Sequence, residues 1–362
     1  MTSDRAAKNA ARARMTRTGE PYSVARRVGR ATKNPQSHFE HSSLDWHFVA
    51  LGTHHGFSPW QHHATIRDAF TGTVIAIVTT PPAVQVFDRV TSAGTVSDTG
   101  EQLHILAGQQ ASQASPVTRH SHAGPKAPLL YTLRVDAAGQ VADLAPFLAE
   151  SRLPAGPGSP FIAVTADGTS LLCAQAQRRE GFWETAVYIV KIATGELRVL
   201  TDAFPGQIIE PSWAGDGQTL AFEWNPHLGR PANGELGIYI ADAAKPANWV
   251  AGQRLVTPSN GILGELITPV ISHDGTAVYV TAAQAEMSGG SHWNKLLEIP
   301  ISGGEARTLF ELRYQANPAN LAYTWTDVRL DPSGRFLLLL GHGWAYVVEI
   351  ATTSSVRIPY PM

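Results

Sequence analysis

Tryptophan and arginine recur in this sequence close to short apolar runs, at corresponding points along the chain. The set that we predict to bind a partner is Trp60, Arg179, Trp183, Trp224, Arg230, Trp293 and Trp344. Both residue types are enriched among the side chains that dominate the binding energy of protein interfaces. The alternative is that some of the tryptophans pack inside the core. We interpret the set as a surface that recognises a protein or peptide.

Half of the fourteen histidines fall in one stretch and raise the question of a metal site. They are His38, His41, His47, His54, His55, His62 and His63. Neutral imidazoles bind zinc or copper, but such sites need a defined geometry and usually carboxylate or thiolate partners. The adjacent pair His54 and His55 would point to opposite sides of an extended chain. We therefore predict no metal site.

The sequence shows no motif for a catalytic nucleophile or for a phosphate-binding loop. The chain has no Gly-x-Ser-x-Gly motif and no glycine-rich loop that leads from a strand into a helix. Cys173 lies within an apolar run, which indicates a small buried side chain rather than a nucleophile. Asp167, Asp216 and Asp274 each precede a glycine, where aspartate stabilises a turn by bonding to nearby backbone. We predict no catalytic residue and no cofactor.

The first 33 residues form a basic segment. They carry nine basic and two acidic side chains, a net charge of +7, whereas the remaining 19 basic and 28 acidic residues give −9. Ser3 is suited to cap a helix and Gly19 to end it. The candidates for weak contact with a polyanion, either nucleic acid or anionic lipid, are Arg12, Arg14, Arg17, Arg26 and Arg27. Docking on an acidic protein and a solvated tail are the alternatives.

The elements that must position the tryptophans are marked by a repeated turn. Gly168, Gly217, Gly275 and Gly334 each follow an aspartate or a serine and lie roughly 50–60 residues apart. A short apolar run precedes each turn and another follows it. Two such runs joined through glycine predict a β-hairpin. All-β units that recur at this interval predict a β-propeller.

One unit supplies the template for four strands, a to d from the centre outwards. They are residues 162–165, 171–174, 187–191 and 197–201, with a longer loop between strands b and c. Because neighbouring strands are antiparallel, the b–c loops share one face and the a–b and c–d turns share the other. The tryptophans and arginines fall at the b–c loops. The predicted binding surface is therefore this b–c face.

The repeat predicts an all-β fold, a six-bladed β-propeller over residues 38–362, with seven blades as the alternative count. A basic, partly helical arm over residues 1–37 precedes it. The first blade uses runs 46–51, 64–67 and 74–78, and its inner strand is unclear. Ring closure is assigned to residues near 38–42 or to the C-terminal segment.

Three segments resemble known proteins. Residues 211–222 (PSWAGDGQTLAF) and 269–279 (PVISHDGTAVY) resemble TolB-type and WD-like propeller repeats. Residues 64–76 (ATIRDAFTGTVIA) resemble WD-like proteins of actinobacteria, and residues 11–27 are similar to a short N-terminal element of varied actinobacterial proteins. The resemblance implies the propeller fold and no particular activity. Exported TolB proteins carry a signal peptide, so their envelope role is not expected here.

Composition bounds the remaining expectations. Cys173 is the only cysteine, so we expect no intramolecular disulfide. The sequence has no 18-residue apolar run and no apolar leader near Met1. We expect a cytoplasmic monomer that acts as a non-catalytic scaffold for a protein or peptide partner. The alternative function is an enzyme or small-ligand binder that uses the mouth of the central channel.

Overall fold

The structure, a computed structural model, describes the greater part of the chain after residue 45. The described residues are 46–51, 60–61, 63–79, 84–97, 100–109, 128–135, 145–146, 161–164, 169–191, 194–226, 236–246, 249, 253–254, 265–285, 291–315, 325–331, 333–341 and 344–358. The chain divides into two units, Met1–Leu44 and Asp45–Met362, and all described residues belong to the second. The predicted domain boundary after residue 37 and the helical arm with its five arginines lie outside the described residues and stay predictions.

The first two sheets occupy the N-terminal part of the described chain. Sheet 1 has the order β1-β3-β4, and sheet 2 has the order β2-β5-β6-β7-β8. Their strands are β1 (His47–Leu51), β2 (Trp60–Gln61), β3 (His63–Asp68), β4 (Val74–Thr79), β5 (Val84–Ser97), β6 (Gly100–Gln109), β7 (Pro128–Val135) and β8 (Ala145–Pro146).

Four further sheets follow, each with four strands in sequence order. Sheet 3 contains β9 (Phe161–Val164), β10 (Ser170–Arg179), β11 (Phe182–Lys191) and β12 (Leu197–Pro205). Sheet 4 contains β13 (Gln207–Trp213), β14 (Thr219–Asn225), β15 (Gly237–Asp242) and β16 (Gln253–Arg254). Sheet 5 contains β17 (Glu265–Ile271), β18 (Ala277–Ala285), β19 (Ser291–Pro300) and β20 (Arg307–Gln315). Sheet 6 contains β21 (Trp325–Leu330), β22 (Phe336–Gly341), β23 (Trp344–Glu349) and β24 (Ser355–Ile358).

Apolar side chains of sheets 3 to 6 pack between neighbouring sheets. One core cluster joins sheets 3 and 4, with Leu172, Ile208 and Phe222 among its members. A second cluster joins sheets 4 and 5, and a third joins sheets 5 and 6. The inner strands β5, β9, β13, β17 and β21 contact one another in that order. Within sheets 3 to 6, these clusters therefore bury apolar residues between sheets that are consecutive in the chain, as in a radial repeat.

Sheet 1 differs from the other sheets at its inner edge. The backbone N–H of Ala69 donates to the carbonyl of Trp46 at 2.8 Å. The same bond joins the ends of the second and third strands in sheets 4, 5 and 6, from Ala243 to Gln218, Ile301 to Thr276 and Ile350 to Arg335. Strands β1, β3 and β4 thus correspond to strands b, c and d. No described strand takes the inner position of sheet 1.

The first and last sheets meet through aromatic rings. Phe70, in the turn after β3, lies edge-on to Phe336 of β22, with ring centroids 5.3 Å apart. Trp46 lies edge-on to Phe70 at 5.8 Å. The described strands form six sheets, the number that the repeat predicts. The blade count of the whole chain stays a prediction.

The predicted b–c loop of sheet 3 is wrong. Strands β10 and β11 pair without a register shift from Ser170 opposite Lys191 to Arg179 opposite Phe182. Only Glu180 and Gly181 join them. Both residues have positive φ, 52° and 89°, as a tight hairpin turn requires. The two strands continue to pair through polar residues beyond their apolar runs, and these polar residues are the ones that were predicted to form the loop.

Within the described part of the chain, no helix combines the length and the apolar character that a transmembrane span requires.

Candidate binding face

The β10–β11 hairpin carries the described part of the predicted b–c face. Arg179 and Trp183, predicted in a loop, lie in the last residues of β10 and the first residues of β11. Arg178 and Arg179 are exposed, and Trp183 is half-buried. Phe182 has 39% of its surface exposed. Sequence reasoning missed Phe182, although an aromatic directly after a two-residue glycine turn was the available signal.

Both arginines of the hairpin are oriented by weak contacts at its end. The Arg178 Nε donates to the carbonyl of Gly181 at 3.3 Å. The Arg179 Nε lies 3.6 Å from Glu184 Oε2. Glu184 is buried whereas about half of the Arg179 side chain is exposed. Arg179 lies directly opposite Phe182 in the pairing of β10 with β11. Arginine and an aromatic ring side by side suit the recognition of another protein surface.

A threonine and a glycine tie this hairpin to the next sheet. The hydroxyl of Thr185, buried in β11, donates to the carbonyl of Gly206 at 2.9 Å and accepts from the N–H of Ile208 at 3.0 Å. The N–H of Gly206 donates to the carbonyl of Trp183 at 3.0 Å. Gly206 has a φ of 81°, and a Cβ there would lie 2.5 Å from the carbonyl oxygen of Asn225. This position therefore requires glycine, and the hairpin rests on a fixed base.

Trp224 does not belong to the surface. It lies in β14 rather than in a loop, and none of it is exposed. Its Nε1 donates to the carbonyl of Pro205 at 2.7 Å. Its ring lies edge-on to Phe204 and Tyr239, with centroids 5.5 and 5.0 Å away. For Trp224 the packing alternative is correct, because the indole fills the space between sheets 3 and 4.

The remaining predicted residues are placed by their backbones or not described. Trp60 lies in β2, opposite Phe87. Trp293 lies in β19 opposite Gln284, and Trp344 begins β23 opposite Gly341. Both pairs are near the b–c connections of their sheets. Arg230 and the arm residues Arg12, Arg14, Arg17, Arg26 and Arg27 lie outside the described residues.

A second apolar side chain is exposed at the same end of the neighbouring sheet. Leu236 immediately precedes β15 and has 41% of its surface exposed. Its neighbour Gly237 pairs with Trp224 of β14. Leu236 therefore belongs to the b–c face, like Phe182. We define the described b–c face as residues 178–183 together with Leu236.

The opposite ends of the sheets are occupied by hydrogen-bonded turns. Asp216 accepts bonds from the N–H groups of Gln218 and Thr219 at 2.7 and 2.8 Å, and from the Thr219 hydroxyl at 2.6 Å. Burial alone would raise the pKa of Asp216, but these bonds outweigh it and lower the pKa below its usual value. Hydrogen bonds from Ser272 and Thr276 likewise lower the pKa of Asp274. These aspartates stabilise turns, as predicted, whereas Asp167 lies outside the described residues.

Two further chemical predictions concern the thiol of Cys173 and a metal site. Cys173 is fully buried in β10, and burial raises the pKa of its thiol. It is thus a small core side chain, as predicted. No group of three or more histidine, cysteine, aspartate or glutamate residues that could hold a metal ion occurs in the described part of the chain.

Known proteins resemble this chain in structure rather than in sequence. No protein-family model and no curated protein matches the sequence. The structure is similar to TolB from Acinetobacter baumannii, with 13% identity, a TM-score of 0.51, and coverage of 94% of this chain and 71% of that one. A putative TolB from Agrobacterium tumefaciens has 13% identity, a TM-score of 0.44 and coverage of 84% and 89%.

An oligogalacturonate lyase from Vibrio parahaemolyticus has 11% identity, a TM-score of 0.41 and coverage of 87% and 86%. At such identities a likeness concerns the fold alone, and the likeness to the Acinetobacter TolB is the one on which we rely. The TolB-type resemblance of residues 211–222 and 269–279 is confirmed at this level. The chain has a β-propeller fold similar to that of the Acinetobacter TolB.

Proposed function

We propose that this protein is a non-catalytic β-propeller scaffold that recognises a protein or peptide partner through its b–c face. The observation that carries the proposal is the exposed ring of Phe182 at the end of the β10–β11 hairpin, directly opposite Arg179 in the strand pairing. Aromatic and arginine side chains dominate interface energetics. An exposed aromatic on a rigid base also loses little conformational entropy when it binds.

The distribution of apolar surface supports this face over the opposite one. Four large apolar side chains are exposed among the described residues: Val74, Phe182, Val199 and Leu236. Phe182 and Leu236 lie on the b–c face of neighbouring sheets. Val74 begins β4 at the opposite end, and Val199 lies on an outer edge. The turn end instead presents aspartates whose oxygens already accept local bonds.

Positive and negative charges balance on this face, which favours a partner that is recognised by shape and apolar contact. Arg178 and Arg179 are accompanied by Glu180 and Glu184 within the same hairpin. A balanced patch gives little long-range electrostatic steering. Any polyanion contact is therefore assigned to the basic N-terminal arm, and it would be weak and independent of sequence because phosphate contacts do not read bases.

Site-specific photo-crosslinking tests the proposal in the native host. A photoreactive amino acid at position 182 should capture a discrete partner, whereas the same group at position 74 should not. With that partner purified, Phe182→Ala should weaken affinity by roughly tenfold or more. Val74→Ala, the matched exposed apolar residue at the opposite end, should leave affinity unchanged. Equal capture from both positions, or equal affinity of both variants, would refute a binding role for the b–c face.

A further inference from the structure

The β10–β11 hairpin extends beyond the strands on either side of it. The inner strand β9 pairs with β10 only as far as Ala174, and the outer strand β12 pairs with β11 only as far as Glu184. Residues 175–179 of β10 and 182–183 of β11 therefore pair with each other but have no described strand on their other side. All residues from 178 to 182 are exposed. The end of this hairpin thus projects from the b–c end of sheet 3.

The central strands of sheets 4, 5 and 6 are flanked on at least one side as far as their b–c ends. In sheet 4 the inner strand pairs with Asn225, the last residue of β14. In sheet 6 the inner strand pairs with Gly341, the last residue of β22. In sheet 5 the outer strand pairs with Ser291, the first residue of β19. Among sheets 3 to 6, the described pairing therefore leaves only the hairpin of sheet 3 to project.

The end of the hairpin carries an arginine and an aromatic residue on each of its two faces. Arg179 pairs with Phe182, and Arg178 pairs with Trp183. Directly paired residues share a face, whereas successive residues of a strand point to opposite faces, so the two pairs lie on opposite faces. The distance of 3.6 Å from the Arg179 Nε to Oε2 of Glu184 agrees with this alternation. A partner that contacted only one face would leave the arginine and the aromatic residue of the other face without a contact.

The turn at the tip of the hairpin places a carboxylate at its outermost point. Glu180 and Gly181 both have positive φ, 52° and 89°, which is the signature of a type I′ turn, whose first position favours asparagine, aspartate or glycine. A glutamate in this left-handed region costs about 1–2 kcal/mol. Residues held in such backbone conformations cluster at functional sites. The exposed side chain of Glu180 is therefore a candidate contact at the tip.

We propose that the tip of the β10–β11 hairpin inserts into a cleft of a folded partner protein, rather than contributing to a groove that binds a peptide. This inference rests on the proposed function of the b–c face and specifies the kind of partner. The two walls of the cleft contact the opposite faces of the hairpin, and acidic groups on these walls complement Arg178 and Arg179. A basic group at the end of the cleft contacts Glu180.

The base of the hairpin suits it to insertion. Hydrogen bonds join Thr185 and Trp183 to Gly206 and fix the hairpin on the neighbouring sheet. An element that is already ordered loses less conformational entropy when it binds. Protruding antibody loops enter concave surfaces in a similar way.

Photo-crosslinking from the full chain in the native host locates the tip in the complex. A photoreactive amino acid at position 180 should capture the same partner as one at position 182. Crosslinks from positions 178 and 179, which lie on opposite faces, should map to two separate segments of that partner. A peptide that lies across the b–c face would instead be captured from positions 182 and 236 through one continuous segment, and not from position 180.

The substitution Glu180→Asn, tested against the captured and purified partner, separates binding from folding. Asparagine is preferred at this turn position, so the variant should be at least as stable as the wild type. It should bind roughly fivefold or more weakly, because the basic group of the cleft loses its carboxylate. Thr353→Asn is the matched control, since Thr353 is exposed and has a φ of 58° in a turn at the opposite end of sheet 6. Its replacement should leave affinity unchanged.

The outcomes distinguish this inference from the proposed function. Capture from position 182 but not from 180, one continuous segment crosslinked to both faces, or wild-type affinity of the Glu180→Asn variant would each overturn insertion and leave the b–c face as a binding surface. No capture from either position would refute the proposed function, and insertion with it. Thermal unfolding establishes that each variant is folded. If Glu180→Asn does not fold, Glu180→Gln takes its place and should weaken binding in the same way.

Discussion

The two ends of the same sheets differ in what they leave available. At the turn end, Asp216 and Asp274 accept local hydrogen bonds, and the glycines beside them allow tight reversals. At the b–c end, the polar groups near Gly206 are also satisfied, but Phe182 and two arginines project beyond them. The polar side chains of the turn end thus serve mainly to stabilise the turns. At the b–c end, the hydrogen bonds around Gly206 stabilise the hairpin without involving the exposed side chains of Phe182 and the two arginines.

The largest expected effect on stability comes from a comparison of two aromatic residues near the b–c end. Trp224→Ala should lower the free energy of unfolding by about 3–5 kcal/mol, because it empties the space between Phe204 and Tyr239. It would also leave the carbonyl of Pro205 without its indole donor. Phe182→Ala should cost no more than about 1 kcal/mol, because the ring is substantially exposed. Chemical denaturation measures both, and similar losses would mean that Phe182 is a packing residue.

Substitution of two glycines tests whether the backbone is packed more closely around Gly206 than in the turns at the opposite end. Gly206→Ala should destabilise the protein by about 2–4 kcal/mol, because the added methyl group meets the Asn225 carbonyl and the φ is positive. Gly217→Ala, in the Asp216 turn, has the same φ sign but no heavy atom within 4 Å of the added Cβ. It should cost only about 1 kcal/mol. Equal costs in denaturant titrations would contradict the close approach at Gly206.

The smallest expected effect concerns pH at the turn end. Burial lowers the pKa of His273, while the carboxylates of Asp331 and Asp274 act in the opposite direction. Since the pKa is about 6.5 in the unfolded chain, the unfolded state takes up this proton first as the pH falls. The stability that the neutral imidazole contributes is therefore complete above about pH 6.5 and is lost below it.

Melting temperatures measured from about pH 8 to 5 check this sign. The wild type should lose slightly more stability than His273→Gln over that interval, by less than about 1 kcal/mol because the ring is only partly buried. A variant that loses as much as the wild type would show that the titration of His273 does not affect folding.

The turn end was readable from sequence because its determinants are local. In each turn the aspartate accepts hydrogen bonds from a residue two or three positions later in the chain, and a glycine follows the aspartate. Asp216 and Asp274 could therefore be assigned without knowledge of the rest of the chain. The b–c end depends on distant residues. Trp224 is buried because Phe204 and Tyr239 converge on it from other strands. The length of the β10–β11 hairpin was missed because Gln177, Arg178 and Arg179 extend the ladder without an apolar pattern.

The contact between Phe70 and Phe336 has a consequence for how the chain folds. These rings belong to the first and last described sheets, so nearly the whole described chain must be ordered before they can meet. The entropy of closing so long a loop is lost before the contact contributes any stabilisation. During synthesis the N-terminal sheet emerges first, and its Phe70 and Trp46 must wait for the last sheet. The surface beneath Phe70 is therefore the part of the nascent protein that stays open longest.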